Sequence, residues 1–129
     1  MILLYIAFGG AAGSVLRYLI GGAVQRATHA GFPYGTLAVN VLGCFLIGFL
    51  IKMFMNAEPS SATRALLVVG FCGGFTTFSA FSSETLGLFE AGAYGRAALY
   101  VLVSLVLCLA ATGGGFALAH SAGAAAHGR

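Results

Sequence analysis

Asn40 is the one strongly polar side chain in the apolar run 34–51. An amide offers two N–H donors and a carbonyl acceptor, and in apolar surroundings it is costly unless these groups find partners. It either bonds a neighbouring helix or offers its donors to a solute. Thr36 lies one turn earlier on the same face. Further along, Tyr100, Ser104, Cys108 and Thr112 recur every four residues, a slowly winding stripe of hydroxyls interrupted by one thiol, the weaker donor. Phe78 and Phe81 are three apart and share a helical face. A phenyl ring is negative over its face and positive at its edge. Two edges turned to a pore favour a small anion without a fixed positive charge that would hold it too tightly to leave; the same spacing also serves plain packing. Taken by themselves, these residues either make contacts between helices or stand in for the hydration shell of a solute.

These groups surround a stretch that weakens its own helix. Residues 70–84 hold Gly70, Gly73 and Gly74, followed by the hydroxyls of Thr76, Thr77, Ser79, Ser82 and Ser83. Glycine lowers helix stability, and unwound backbone at membrane depth is tolerated only where protein buries it or it lines a wet cavity. A helix broken at mid-membrane, with an ion or substrate site beside it, is the expectation. Thr77 is a further donor candidate there, and the freed carbonyl oxygens would suit a hard cation. Arg17, near the end of the first apolar run, can snorkel to the headgroups. Glu84, one turn beyond Phe81, either tunes a pore exit or caps a wet helix end.

Composition says what must position these residues. Of 129 residues, 60% are hydrophobic and 7% charged, and mean hydropathy is +0.99. So few charges cannot solvate a globular surface, whereas a lipid-facing surface needs almost none, so the chain reads as one all-α integral membrane domain, residues 1–129. A net charge of +3 from scattered basic residues is too diffuse for nucleic acid. About 20 apolar residues cross the hydrocarbon core, which predicts four spans near 2–24, 34–51, 65–90 and 97–120, then an irregular tail over 121–129. The start lacks a basic region and a small-residue cleavage site, so it reads as a retained helix. Cys44, Cys72 and Cys108 lie in apolar segments as small hydrophobes, with no zinc-like spacing. Gly9/Gly13 and Gly70/Gly74 have the four-residue spacing of close helix contacts. With four spans, Lys52, Arg64 and Arg129 share one side, and Arg17, Arg26 and Arg96 the other. Such balance gives no preferred orientation, so chains inserted both ways can pair head to tail.

The sequence resembles the Fluc family of bacterial fluoride channels over almost its full length. The resemblance is carried by Gly9-Gly10-Ala11-Ala12-Gly13-Ser14-Val15-Leu16-Arg17-Tyr18, by Gly35-Thr36-Leu37-Ala38-Val39-Asn40-Val41-Leu42-Gly43, and by Gly70-Phe71-Cys72-Gly73-Gly74-Phe75-Thr76-Thr77-Phe78-Ser79-Ala80-Phe81-Ser82. Ala80 stands where the family often has Thr or Ser. The resemblance implies an antiparallel, dual-topology homodimer in the bacterial plasma membrane, passively exporting fluoride, rejecting chloride and so lowering fluoride toxicity. It further implies that Phe78 and Phe81 form a paired-ring filter, that Asn40, Thr36, Thr77, Tyr100, Ser104, Cys108 and Thr112 line the ion path, and that Arg17 faces the vestibule. A structural sodium ion on the dimer axis, held by main-chain oxygens of Gly73 and Thr76 from each chain, also follows from the resemblance. The alternative is a small dual-topology, proton-coupled multidrug exporter. It needs a membrane-embedded carboxylate, and the first two spans have none. No Ser/His/Asp or metal-ligand arrangement suggests an enzyme, and the glycine-rich stretch lacks the Gly-Lys-Ser/Thr ending of a phosphate loop.

Overall fold

The computed structural model describes residues 1–28 and 31–127, which contain helices and no strand. Helix α1 spans Ile2–Thr28 and α2 spans Tyr34–Ala57. The third span, Ser61–Glu90, is built from α3 (Ser61–Arg64), a π-helical stretch (Ala65–Cys72), α4 (Gly73–Phe75) and α5 (Phe78–Glu90). Helix α6 spans Tyr94–His127. Among the described residues four helical spans are long and apolar enough to cross a membrane, and the chain is a multi-pass membrane protein. Leu3, Phe8, Tyr18, Leu102 and Leu109 are each more than half exposed, a surface suited to lipid.

Each corner has a local cause. Ser60 caps α3, its hydroxyl accepting from the Thr63 amide at 3.2 Å. Gly92, at φ +71°, ends α5 in a Schellman turn: Gly92 N–H bonds Phe89 O at 3.0 Å and Ala93 N–H bonds Leu88 O at 2.9 Å. Between α1 and α2, Gln25 accepts from the Gly35 amide at 3.0 Å and donates to Phe32 O at 3.1 Å. The helices outrun the apolar segments because backbone hydrogen bonding does not stop at polar side chains such as Gln25, Arg26 and Lys52. The irregular tail expected from residue 121 is helical as far as His127, in keeping with the high helix propensity of Ala122 and Ala124–Ala126. Residues 128 and 129, with the Arg129 charge, and His29 lie outside the described residues.

Glycine sets the packing. A Cβ at Gly9 would strike the Leu66 carbonyl, one at Gly13 that of Phe71, and one at Gly74 that of Gly10, so α1 and the third span touch backbone to backbone. Helices α2 and α6, the most extensive pair, run parallel. Gly48 lies on the Thr112 backbone, and Gly115 fits between Phe45 and Phe49 of α2. The glycines of the third span therefore remain helical. The interruption comes after them, at Thr76 (φ −86°, ψ 157°) and Thr77 (φ −149°, ψ 112°), two extended residues between α4 and α5.

Candidate functional site

Side chains from α1 and α2 hold the interruption open. Asn40 Oδ1 accepts from the Thr77 amide at 2.8 Å, and Asn40 Nδ2 donates to the Thr77 carbonyl at 3.0 Å. The amide thus pairs with both peptide groups of one residue, as a neighbouring strand would. Because a backbone N–H can only donate, this pairing also fixes which end of the Asn40 amide is oxygen. From α1, Arg17 Nε donates to the Gly74 carbonyl at 3.0 Å and Ser14 Oγ to the same oxygen at 3.4 Å. Thr77 caps α5, its hydroxyl accepting from the Ala80 amide at 3.2 Å. Thr76 Oγ1 turns back to the Cys72 carbonyl at 3.0 Å.

Beside the interruption lies a cavity of about 280 Å³. Of the residues read from sequence as an ion path, it brings together Asn40, Thr77, Phe78, Phe81, Ser104, Cys108 and Thr112. Among the described residues no charged side chain lines it. The Phe78 and Phe81 centroids are 5.5 Å apart with planes tilted by 43°, and Phe81 meets Tyr100 at 5.1 Å. Phe78 is 77% exposed on this chain, with its ring against that of Phe81. Ser104 is only 7% exposed, and its Oγ is the buried side-chain polar atom without a partner among the described residues. Leaving such a hydroxyl unpaired costs about 1–3 kcal/mol. Asn40 uses one of its two N–H groups on Thr77, leaving a second donor at the cavity. Thr112 bonds within its helix, to the Cys108 carbonyl at 3.0 Å.

Thr36 and Tyr100 stand apart from this cavity. Thr36 Oγ1 donates to Glu84 Oε1 at 2.6 Å and Tyr100 Oη to Glu84 Oε2 at 2.7 Å, so one carboxylate joins α2, α5 and α6. Thr36 and Glu84 line a second hollow of about 510 Å³ with Arg17, Arg26 and Thr77. A third, of about 620 Å³, is lined by Lys52, Thr112, Phe116 and His120. Thr77 belongs to the first two cavities, and Thr112 to the 280 Å³ cavity and the third hollow. The three form a series with basic side chains at both ends and a neutral middle. Sequence reasoning missed Cys44, which lines the central cavity, and Ser14; Cys44 continues the four-residue spacing of Thr36 and Asn40.

Among the described residues no group of three or more His, Cys, Asp or Glu could hold a metal. Main-chain oxygens offer the other hard donors. In a continuous helix the Thr77 amide would close on the Gly73 carbonyl and the Ala80 amide on that of Thr76. Here Asn40 takes the first amide and the Thr77 hydroxyl the second. A Cβ built on Gly73 meets nothing within 4 Å. Two carbonyls released from the ladder, one of them at the open Gly73, are hard oxygen donors of the kind a hard cation takes.

Residues 4–116 match the family model described as CrcB-like protein, Camphor Resistance (CrcB). The fluoride-specific ion channel FluC of Agrobacterium fabrum is 50% identical over 114 residues, covering 88% of this chain and 91% of the relative. That of Rhizobium johnstonii is 47% identical over 114 residues, with the same coverage. A fluoride-specific ion channel FluC of Thermus thermophilus is 50% identical over 106 residues, 82% of this chain and 85% of the relative.

Proposed function

We propose, for a chain that belongs to the CrcB-like family, that it is a fluoride-specific ion channel of the bacterial plasma membrane, passively exporting fluoride and rejecting chloride. Hydrogen fluoride is a weak acid that crosses lipid neutral and ionises inside the cell. A passive anion path then suffices for export, because a membrane negative inside drives anions outward.

One observation carries the reading: the buried, unpartnered Ser104 hydroxyl beside a cavity lined by no charged side chain. A small anion is a solute that such a donor suits. Hydrogen bonds to an anion are about twice as strong as neutral ones, so Ser104 and the second Asn40 N–H replace part of fluoride's water shell. The edges of Phe78 and Phe81 supply weak positive potential without a charge that would trap the ion. Thr77, Cys108 and Thr112 continue the path. Arg17 draws anions into the 510 Å³ hollow while its Nε holds Gly74. Glu84 keeps the Thr36 and Tyr100 hydroxyls aligned at the exit beside that hollow. Chloride is larger and gains less from the same donors, which the interruption pins and cannot spread.

The working unit in this reading is an antiparallel homodimer of two oppositely inserted chains, with the interrupted spans meeting mid-membrane at the two-fold axis. The released Gly73 and Thr76 carbonyls of both chains would hold a structural sodium ion there. When bound, the ion supplies positive charge that joins the two interruptions and raises the potential for anions.

Reversal potential tests the function. In a planar bilayer with a fluoride gradient and equal chloride, the current should reverse at the equilibrium potential for fluoride. Reversal that follows an imposed chloride gradient instead contradicts the proposal.

A further inference from the structure

Two thiols line the central cavity. Cys44 on α2 and Cys108 on α6 both line it, and both are free. Their level follows from the parallel packing of the two helices. Thr36 and Tyr100 meet at Glu84, and Gly48 meets Thr112. Cys44 lies about two turns beyond Thr36 and one before Gly48, and Cys108 lies at the same steps from Tyr100 and Thr112. The third cysteine, Cys72, is buried in the π-helical stretch and lines no part of this cavity.

The donor set limits what could bind. Zinc needs four ligands, and no third His, Cys, Asp or Glu joins this pair among the described residues. Soft thiolates select soft metals, and two of them suit the linear, two-coordinate ions of the mercury(II) and silver(I) class. We propose that Cys44 and Cys108 form a two-thiolate site for a soft, two-coordinate metal cation within the cavity, and that filling it closes the anion path. The closing half rests on the fluoride-channel reading; the binding half does not. Mercuric chloride is neutral and can enter an apolar cavity. Two Hg–S bonds form, two S–H and two Hg–Cl bonds break, the two protons and two chlorides pass to water, and nothing is oxidised or reduced.

The test uses the purified full chain and mercuric chloride. Ultraviolet mercury–thiolate absorption and titration of remaining thiols should show one mercury consuming both Cys44 and Cys108, resistant to a carboxylate chelator. Cys72→Ala should behave alike. Cys44→Ser and Cys108→Ser should each lose the two-thiol spectrum and hold mercury at least tenfold more weakly; Cys44→Ala and Cys108→Ala keep the test if a serine variant misfolds. Independent reaction of each thiol with its own mercury overturns the site. In proteoliposomes, mercury should arrest fluoride efflux by the parent and Cys72→Ala, reversibly with a dithiol. Each cysteine-pair variant should be spared relative to its own untreated rate. Mercury bound to both thiols with efflux undiminished overturns the closing alone, whereas bound mercury with no efflux before treatment overturns the channel reading and leaves the site standing.

Discussion

Asn40 commits both ends of its amide to Thr77 and still faces the cavity. Asn40→Asp should reduce fluoride efflux to the level of protein-free liposomes, because the variant keeps the acceptor for the Thr77 amide, loses the donor and puts an anion on an anion's route. Efflux near the parent rate would remove Asn40 from the path. Phe81, between Phe78 and Tyr100, is argued to act through its ring edge. Phe81→Ile should slow efflux roughly tenfold, equivalent to about 1.4 kcal/mol, while the elution volume on size exclusion stays unchanged. An unchanged rate would leave the ring a packing role. Asn40 was legible in the sequence because an isolated amide in an apolar helix is conspicuous. Its partner was not, because the partner is the backbone of Thr77, which has no signature of its own. Cys44 was passed over because a thiol among apolar residues reads as a small hydrophobe, and only its level with Cys108 brings it to the cavity. Thr36 and Tyr100 read as donors in the sequence, whereas Glu84, which accepts from both, lies on a different helix from either.

At the scale of the elements, hydropathy located four spans because lipid imposes one length on every crossing. The exact site of the interruption was harder to read. Glycine content drew attention to residues 70–74, yet Gly70 and Gly74 are spent on backbone contact with α1, and within the 70–84 stretch the chain unwinds at Thr76 and Thr77. What unwinds it is capture of its peptide groups by Asn40, Arg17 and Ser14, tertiary partners that no local pattern encodes. Two adjacent glycines of α6 separate packing from propensity. Gly115→Ala would drive a methyl into the Phe45 carbonyl, whereas a Cβ at Gly114 meets nothing within 4 Å. Gly115→Ala should cost about 1–3 kcal/mol through overpacking, and Gly114→Ala should be neutral or slightly stabilising. Thermal unfolding followed by loss of the monodisperse elution peak checks both. Equal effects would mean that α2 and α6 are less closely packed than described.

For the whole molecule, the charges are nearly balanced between its ends. Lys52 and Arg64 lie toward the α2–α3 corner, Arg26 and Arg96 toward the opposite corners, and Arg17 is drawn to the interruption. A reporter fused to the C-terminus should therefore be detected on both sides of the membrane, and one-sided insertion would refute dual topology. Gly73 faces open space on this chain and would lie near the two-fold axis of the proposed dimer. Gly73→Cys should crosslink to a second copy on mild oxidation, and a product that stays monomeric on denaturing gels would move the axis elsewhere. The central claim concerns what crosses. Proteoliposomes loaded with fluoride or chloride, followed by ion-selective electrodes after addition of a potassium ionophore, measure it most directly. Rapid fluoride loss with chloride retained is the expected result; retention of both anions by folded protein, or equal loss of both, would contradict a fluoride-specific channel.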